Sequence, residues 1–502
     1  MASGSTQPNW ADRLAVTRRA HGHESVTLAA LVAGLFGAGC GLAQAGEPQQ
    51  IDELVVTGAR SSVPLSEEPN AMTVLDREEI QATPSTSDDP ADVLKKRAGL
   101  DVIQYPGLLS GVSIRGFRPS FSGINQRTLT LLDGRPAGAP NLSMISASSI
   151  ESIEVLRGPA SSLYGANAMG GVINVIPVRK SGPWETNLQV GYGSFDRREG
   201  RVLTGGTLAE TVDLTVTLGA LEQRDDFRMG SGERRPNTSF KKYDASARAG
   251  MPIGANWWLE LSGEGVLGRD IETPGDIAYG TDRASLKDED RYSTEARLTG
   301  LVGDHDITLL AFQAESESTF FETDPEIPAD TSFIRDNQWQ GVQARDSWRW
   351  GDGQELTFGV DYEQVDSTAK SFDDDGNRDA PFSADERRET TGVFLQQRSR
   401  LPTETVLTLG ARHDWIEVSR LATPFKDDFE PGETRFTTFN PSLGVMHPLT
   451  ANLRLRGSVG TAFITPDASD ITGRSERERG GRTEITEGNP DLDPESSLTW
   501  DV

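Results

Sequence analysis

Beyond Pro183 the chain repeats one unit: a run of about nine to thirteen residues in which apolar and polar side chains alternate, then a connection, then another run. The connections alternate in length. Those at 208–211, 252–256, 303–306, 351–353, 401–403 and 448–452 are brief, whereas 224–240, 268–290, 316–337, 366–389, 419–434 and 464–495 are long and polar. Runs joined by short turns on one side and long loops on the other go up and down as neighbours. Tilted strands of this length cross a hydrocarbon layer, and short turns on one side with long loops on the other mark an outer-membrane barrel. A soluble sandwich has no reason to keep that alternation through a dozen strands.

The strand-like runs cover 186–195, 197–207, 212–222, 242–251, 257–267, 291–302, 307–315, 338–350, 355–365, 390–400, 405–415, 435–446 and 453–463, with 498–502 starting another. Leu259, Leu261, Gly263 and Gly265 against Glu260, Ser262, Glu264 and Val266 illustrate the two faces. Composition fits. Only 35% of the 502 residues are hydrophobic, and after residue 45 no apolar run approaches the ~20 residues a spanning helix needs. A formal charge of -27 speaks against nucleic acid, whose backbone requires a basic surface.

The N-terminal 45 residues read as a secretory signal. Arg13, Arg18 and Arg19 precede an apolar stretch from Val26 to Leu42, and Ala43-Gln44-Ala45 is a small-residue cleavage site. Cys40 is the one cysteine, so the exported chain is expected to have no disulfide and no thiol metal site. Gly37 departs from the large aliphatic residue of a lipidation motif. Directly after the cut, Ile51, Asp52, Glu53, Leu54, Val55, Val56 and Thr57 form a β-prone segment behind a polar leader. Such a segment either opens a sheet of its own domain or adds as a strand to a partner's sheet edge.

Between these parts lies Ile150-Glu-Ser-Ile-Glu-Val-Leu-Arg-Gly-Pro, then Ser161-Ser-Leu-Tyr-Gly and Gly170-Gly-Val-Ile-Asn. Two apolar runs read as strands, and the glycines between them supply a tight connection. A phosphate-cradling loop is the alternative, but neither Gly-Lys-Ser/Thr nor Gly-x-Gly-x-x-Gly is present. Upstream, Asp88-Asp89-Pro90 can cap a short helix over 91–97, followed by Ala98-Gly99-Leu100. Val112-Ser-Ile-Arg-Gly-Phe and Thr128-Leu-Thr-Leu-Leu-Asp-Gly-Arg complete the set.

Taken in order, these motifs resemble the plug domain of TonB-dependent outer-membrane receptors. Those proteins carry Ile-Glu-x-Ile-Glu-Val-x-Arg-Gly-Pro, Ser-x-x-Tyr-Gly and Gly-Gly-x-Ile-Asn, after Ile-Arg-Gly-Phe and Leu-Asp-Gly. The resemblance implies an all-β transmembrane barrel of the 22-stranded class with an α+β plug in its lumen. It divides the chain into signal peptide (1–45), Ton box segment (46–60), plug (61–180) and partial barrel (181–502). The run count falls short of that class, and Gly488-Asn-Pro-Asp-Leu-Asp-Pro-Glu resembles a segment lying well inside the family's barrel. The expectation is a fragment lacking the C-terminal strands.

Function follows from the same resemblance. Residues 51–57 are expected to bind the periplasmic protein TonB as the Ton box. Arg115 and Arg157 are expected to seat the plug by pairing with wall carboxylates, with Asp501 standing where the family has glutamate. The implied activity is energised import across the outer membrane of a Gram-negative bacterium, most often of a ferric siderophore. Cobalamin, saccharides and other chelates are alternatives, as is a non-transporting adhesin or passive pore. No cofactor and no catalytic set is expected: His21, His23, His305, His413 and His447 are scattered, and the haem-receptor pattern is absent around Phe463-Ile-Thr-Pro. The loop Phe372-Asp-Asp-Asp-Gly is either a Ca²⁺ site or a solvated tip. The substrate-contacting residues are left open.

Overall fold

The computed structural model describes residues 55–56, 60, 63–85, 88–117, 119–120, 123–158, 160–224, 226–274, 285–321, 331–450, 453–479 and 482–502. The expected signal peptide, and Ile51, Asp52, Glu53, Leu54 and Thr57, lie outside them.

The N-terminal domain is built on a five-stranded sheet in the order Ala71–Asp76, Ile150–Arg157, Gly171–Pro177, Thr128–Leu132, Arg135–Pro136. Only the Thr128–Leu132 and Gly171–Pro177 pair is parallel. Leu75, Ile80, Val93, Leu94, Ile114, Ile153 and Ile173 close a core made wholly of this domain's residues. Full burial of each such side chain contributes ~1.5–3 kcal/mol. The connection after Arg157 carries the short helix Ser161–Tyr164. Gly171 is required where it stands: its φ is +146°, and a Cβ there would lie 2.2 Å from the Leu156 carbonyl oxygen.

Two local expectations need correction. The short helix begins at Pro90, runs to Val93, and continues as a wider turn over Leu94–Ala98 that ends on left-handed Gly99. Its cap is Asp89 alone, which accepts from the Ala91 amide at 2.8 Å. Asp88, at φ 53°, faces the wall and pairs with Arg201 at 2.6 Å.

The wall is one antiparallel sheet in which each strand pairs with the next, from Glu185–Gly193 to Glu495–Asp501, with Arg378–Asp379 pairing off this path. The runs named above fall on these strands to within two residues, with Ser194, Phe195 and Thr405 among those lying just outside, but most strands are longer than their alternating core. The longest, Thr331–Gly351, has 21 residues. The excess lies on the long-loop side, where ladder hydrogen bonding continues after the apolar alternation has stopped. The 464–495 loop is also more than polar coil: it holds a helix, Ala468–Thr472, and the hairpin Arg474–Arg479 with Arg482–Glu487.

Strand alternation sorts the side chains. Leu261, Leu309, Val342, Phe358, Leu395, Leu409 and Trp415 are exposed on the outer face. The inner face is mainly polar, with apolar patches such as Phe312, Trp339 and Val365, and lies against the N-terminal domain.

Candidate functional site: the interface between plug and wall

On Ser285–Val302 the inward positions are Lys287, Glu289, Arg291, Ser293, Glu295 and Arg297, two residues apart on one face. Opposite them, Leu132-Asp133-Gly134-Arg135 makes the turn between two plug strands, with Asp133 at φ 55° and Gly134 at φ 85°. This turn aims both charges at the wall. Arg135 reaches Glu295 at 3.0 Å and Ser293 at 2.7 Å. Asp133 takes Arg179 at 2.5 Å, Arg248 at 3.3 Å and Arg297 at 3.4 Å. Arg179 and Arg248 share Glu260 with it. Burial alone would raise the Asp133 carboxyl, but Arg297, Arg179 and Arg248 outweigh it and hold the group well below the usual carboxylate range.

The carboxylates of Asp133, Glu260 and Glu295 converge within 4.8 Å of one another, the spacing of a metal site. Their oxygens are already engaged by Arg135, Arg179, Arg248 and Arg297. The cluster is an ion-pair network. A cation would meet that surplus of positive charge.

A second network holds the start of the domain. Val55–Val56 pairs with Val63–Pro64 in a two-stranded ladder separate from the main plug sheet. Between them Arg60, at φ 58°, is buried and bonds Asp361 of the wall at 3.0 and 2.8 Å. Its guanidinium lies 4.6 Å from the ring centroids of both Tyr164 and Phe394. Asp361 also accepts from Arg412 at 2.6 Å, and Arg412 pairs with Asp414 at 2.8 Å and donates to the Leu163 carbonyl. Burial, opposed by Arg60, pushes the Tyr164 phenol up to about 12. Nearby, Glu67 contacts both Arg398 and Arg400.

Arg115 and Arg157 part company. Arg115 lies on the Asp501 carboxylate. Among the described residues Arg157 reaches no wall acid: it donates to Thr73 Oγ1 at 2.6 Å and to the Ala98 carbonyl at 2.7 Å, both inside the plug. The expected pairing is corrected for a geometric reason. The strand carrying Arg157 is bordered by Ala71–Asp76, so its side chain is captured by the neighbouring strand before it can reach the wall.

Toward the long-loop end, Asn125 accepts from Arg388 at 2.7 Å and donates to the Thr465 carbonyl at 2.9 Å. Arg127 pairs with Glu495 at 2.7 Å. Sequence reasoning gave no role to Arg60, Asp133, Arg135 or their wall partners. Charges two apart on one strand face, as at 287–297, were the available signal for the wall. Arg60 has none, because its partner is 301 residues away.

Known proteins share both parts of this architecture. Residues 64–172 match the TonB-dependent Receptor Plug Domain, and residues 223–502 match the family described as TonB dependent receptor-like, beta-barrel. Over 469 residues the chain is 27% identical to the Vitamin B12 transporter BtuB of Vibrio vulnificus, covering 91% of this chain and 68% of that protein. The Vitamin B12 transporter BtuB of Photobacterium profundum is 25% identical, covering 90% of this chain and 66% of that protein. Among solved structures, Copper transporter OprC superimposes with a TM-score of 0.70 at 18% identity, covering 87% of this chain and 70% of that one. The siderophore receptor PirA from Pseudomonas aeruginosa gives 0.62 at 18% identity, covering 85% and 70%. At identities this low, the likeness to the solved structures shows the fold alone.

Proposed function

The chain belongs to the TonB-dependent receptor family, and from that premise we propose that this outer-membrane transporter imports a metal chelate, a ferric siderophore first. The observation that supports energised import over passive flow is the plug's attachment. Asp133, Arg135, Asp88 and Arg60 tie it to wall strands through buried ion pairs. A passive pore gains nothing from a plug fixed in this way, and breaking such pairs takes work.

TonB supplies that work through residues 51–57, added as a strand to its sheet edge. The ladder of Val55–Val56 with Val63–Pro64 is two residue pairs long, so little backbone pairing has to be given up for that exchange. In this reading 46–60 is the segment handed to TonB, 61–180 is the plug and 181–502 is wall, and Arg115 with Asp501 helps seat the plug. A corrinoid is the second reading, favoured by the two vitamin B12 transporters reported above.

The test is growth of a deletion strain of the source bacterium on limiting iron supplied as a panel of ferric chelates, and separately on limiting cyanocobalamin. Loss of growth on one chelate, restored by the gene and abolished without TonB, supports the reading. Full growth on every source in the deletion strain overturns it.

A further inference from the structure

At the long-loop end, three connections of the wall are fastened to one another: 373–384, 422–431 and 465–494. The Ala384 amide donates to Thr472 Oγ1 at 3.0 Å, and the Arg474 amide to the Phe382 carbonyl at 2.9 Å. The Asp385 amide donates to Thr423 Oγ1 at 2.7 Å. Gly473 is pressed against Phe382, where a Cβ would lie 2.6 Å from the ring. Arg378 lies between rings of two connections, its Cζ 5.5 Å from the Phe372 centroid and 5.4 Å from that of Phe425. Backbone donors that would otherwise face water tie the loops into one body.

That body meets the plug at a buried corner. Glu386 and Arg388, on the strand Asp385–Arg400, are 2% and 5% exposed and pair at 3.0 Å. Glu386 accepts the amide of Ala468, the first residue of the helix Ala468–Thr472. Arg388 reaches the Pro466 carbonyl at 3.4 Å and the side-chain oxygen of Asn125, in the plug, at 2.7 Å. Asn125 in turn donates to the Thr465 carbonyl at 2.9 Å. These two contacts fix its amide orientation: swapped, its nitrogen would face a guanidinium and its oxygen a carbonyl. One plug side chain thus bonds the wall and the loop together. The neighbouring Arg127–Glu495 pair is far more exposed, and such pairs contribute little.

The helix keeps its shape without this corner. Asp467 caps it, accepting from the Ser469 and Asp470 amides, and Asp470 accepts from the Asp467 amide in return. The segment after Ile464 can therefore lift from the plug without unfolding.

We infer that Asn125 is a latch: through Arg388 and Thr465 it holds the joined loops closed over the plug, and they open when the plug shifts at residue 125. The coupling is reciprocal, because contacts made only in the closed, seated state stabilise loops and plug alike. It goes beyond the import reading and involves no particular ligand.

The test follows cysteine labelling by a membrane-impermeant maleimide on isolated outer membranes, without ligand and without TonB. The sole native cysteine, Cys40, lies in the expected leader. Three reporters are made separately at buried positions: Ala468→Cys for the loops, Ile124→Cys for the plug apex, and Ala147→Cys for the plug core. Asn125→Ala should raise the rate at position 468 about tenfold or more, since it removes two hydrogen bonds, one of them to a guanidinium. The rate at position 147 should not change. Glu386→Gln, which touches no plug residue, should raise the rate at 468 and, by reciprocity, also at 124. Heat-modifiable mobility confirms that each variant is folded. An unchanged rate at 468 in Asn125→Ala, or an equal rise at 147, overturns the latch. A rate at 124 that stays at the parental value when Glu386→Gln frees the loops overturns the coupling. Neither outcome touches the import reading, which cell growth tests.

Discussion

Arg60 and Asp133 show how single charges set the state of the plug. Arg60 holds a left-handed φ of 58°, a conformation non-glycine residues rarely adopt, so its ion pair with Asp361 and its two ring contacts sustain a strained backbone. Removing one partner of a buried pair costs about 3–5 kcal/mol, since the other is left uncompensated. Arg60→Ala and Asp361→Asn should therefore each free the segment before residue 60, raising the labelling rate of a cysteine placed at residue 53 well above that of the parent without ligand. Equal labelling rates would mean the ladder with Val63–Pro64 holds the segment by itself. Asp133 makes a pH prediction. Its carboxyl is held below its unfolded value of about 3.9, so the stabilisation it provides is present above that value and lost only as pH falls through the lower folded one. Proteolysis of the plug should be flat from pH 8 to pH 5. Asp133→Asn should be cleaved faster across that whole range, and a parent profile that already rises at pH 5 would assign the seat to other groups.

At the level of elements, the sequence was most informative where a pattern repeats. Each alternating run beyond Pro183 coincides with a wall strand to within two residues, because period-two burial is a local property. Strand ends were read short, since hairpins such as Thr331–Gly351 with Gln354–Phe372 extend past the lipid-facing band on backbone pairing alone. The candidate site was far less legible. The motif points Arg115 toward a wall carboxylate without saying which, and the networks around Asp133 and Asp361 join residues more than a hundred positions apart, which no local pattern encodes. Arg157 was misplaced because its motif does not reveal which neighbouring strand borders it. The short ladder at Val55–Val56 yields a prediction at this scale. Val55→Pro removes a backbone N–H and fixes φ, so it should abolish uptake with ligand binding intact, because the strand addition to TonB proposed above would depend on backbone donors. Uptake at the parental rate would confine this segment to a role within the plug.

The molecule as a whole is a plug with its own core and a wall sheet, joined by a polar seam. The plug's main core is made only of its own side chains, and the wall strands between Glu185–Gly193 and Glu495–Asp501 pair on both sides through antiparallel ladders with one another. What joins them is largely charge: Asp133 and Arg135 on one side, Arg60 with Asp361 on another, and Asp88 with Arg201 on a third. Apolar contacts also cross the seam, as where Ile124 and Ala139 meet Phe312 and Trp339, but each such cluster is small beside the plug core. Weakening the charges should consequently unseat the plug without unfolding either body. Combining Asp133→Asn, Arg135→Ala and Asp361→Asn removes contacts too far apart to share partners beyond the first two, so the effects should add. The expected outcome is a large rise in sensitivity to bulky antibiotics that the outer membrane normally excludes. Heat-modifiable mobility and strand content of the wall should stay at the parental level. If the triple variant instead loses its folded wall, the seam is part of the barrel's own stability, and a plug that moves as a separate body is ruled out.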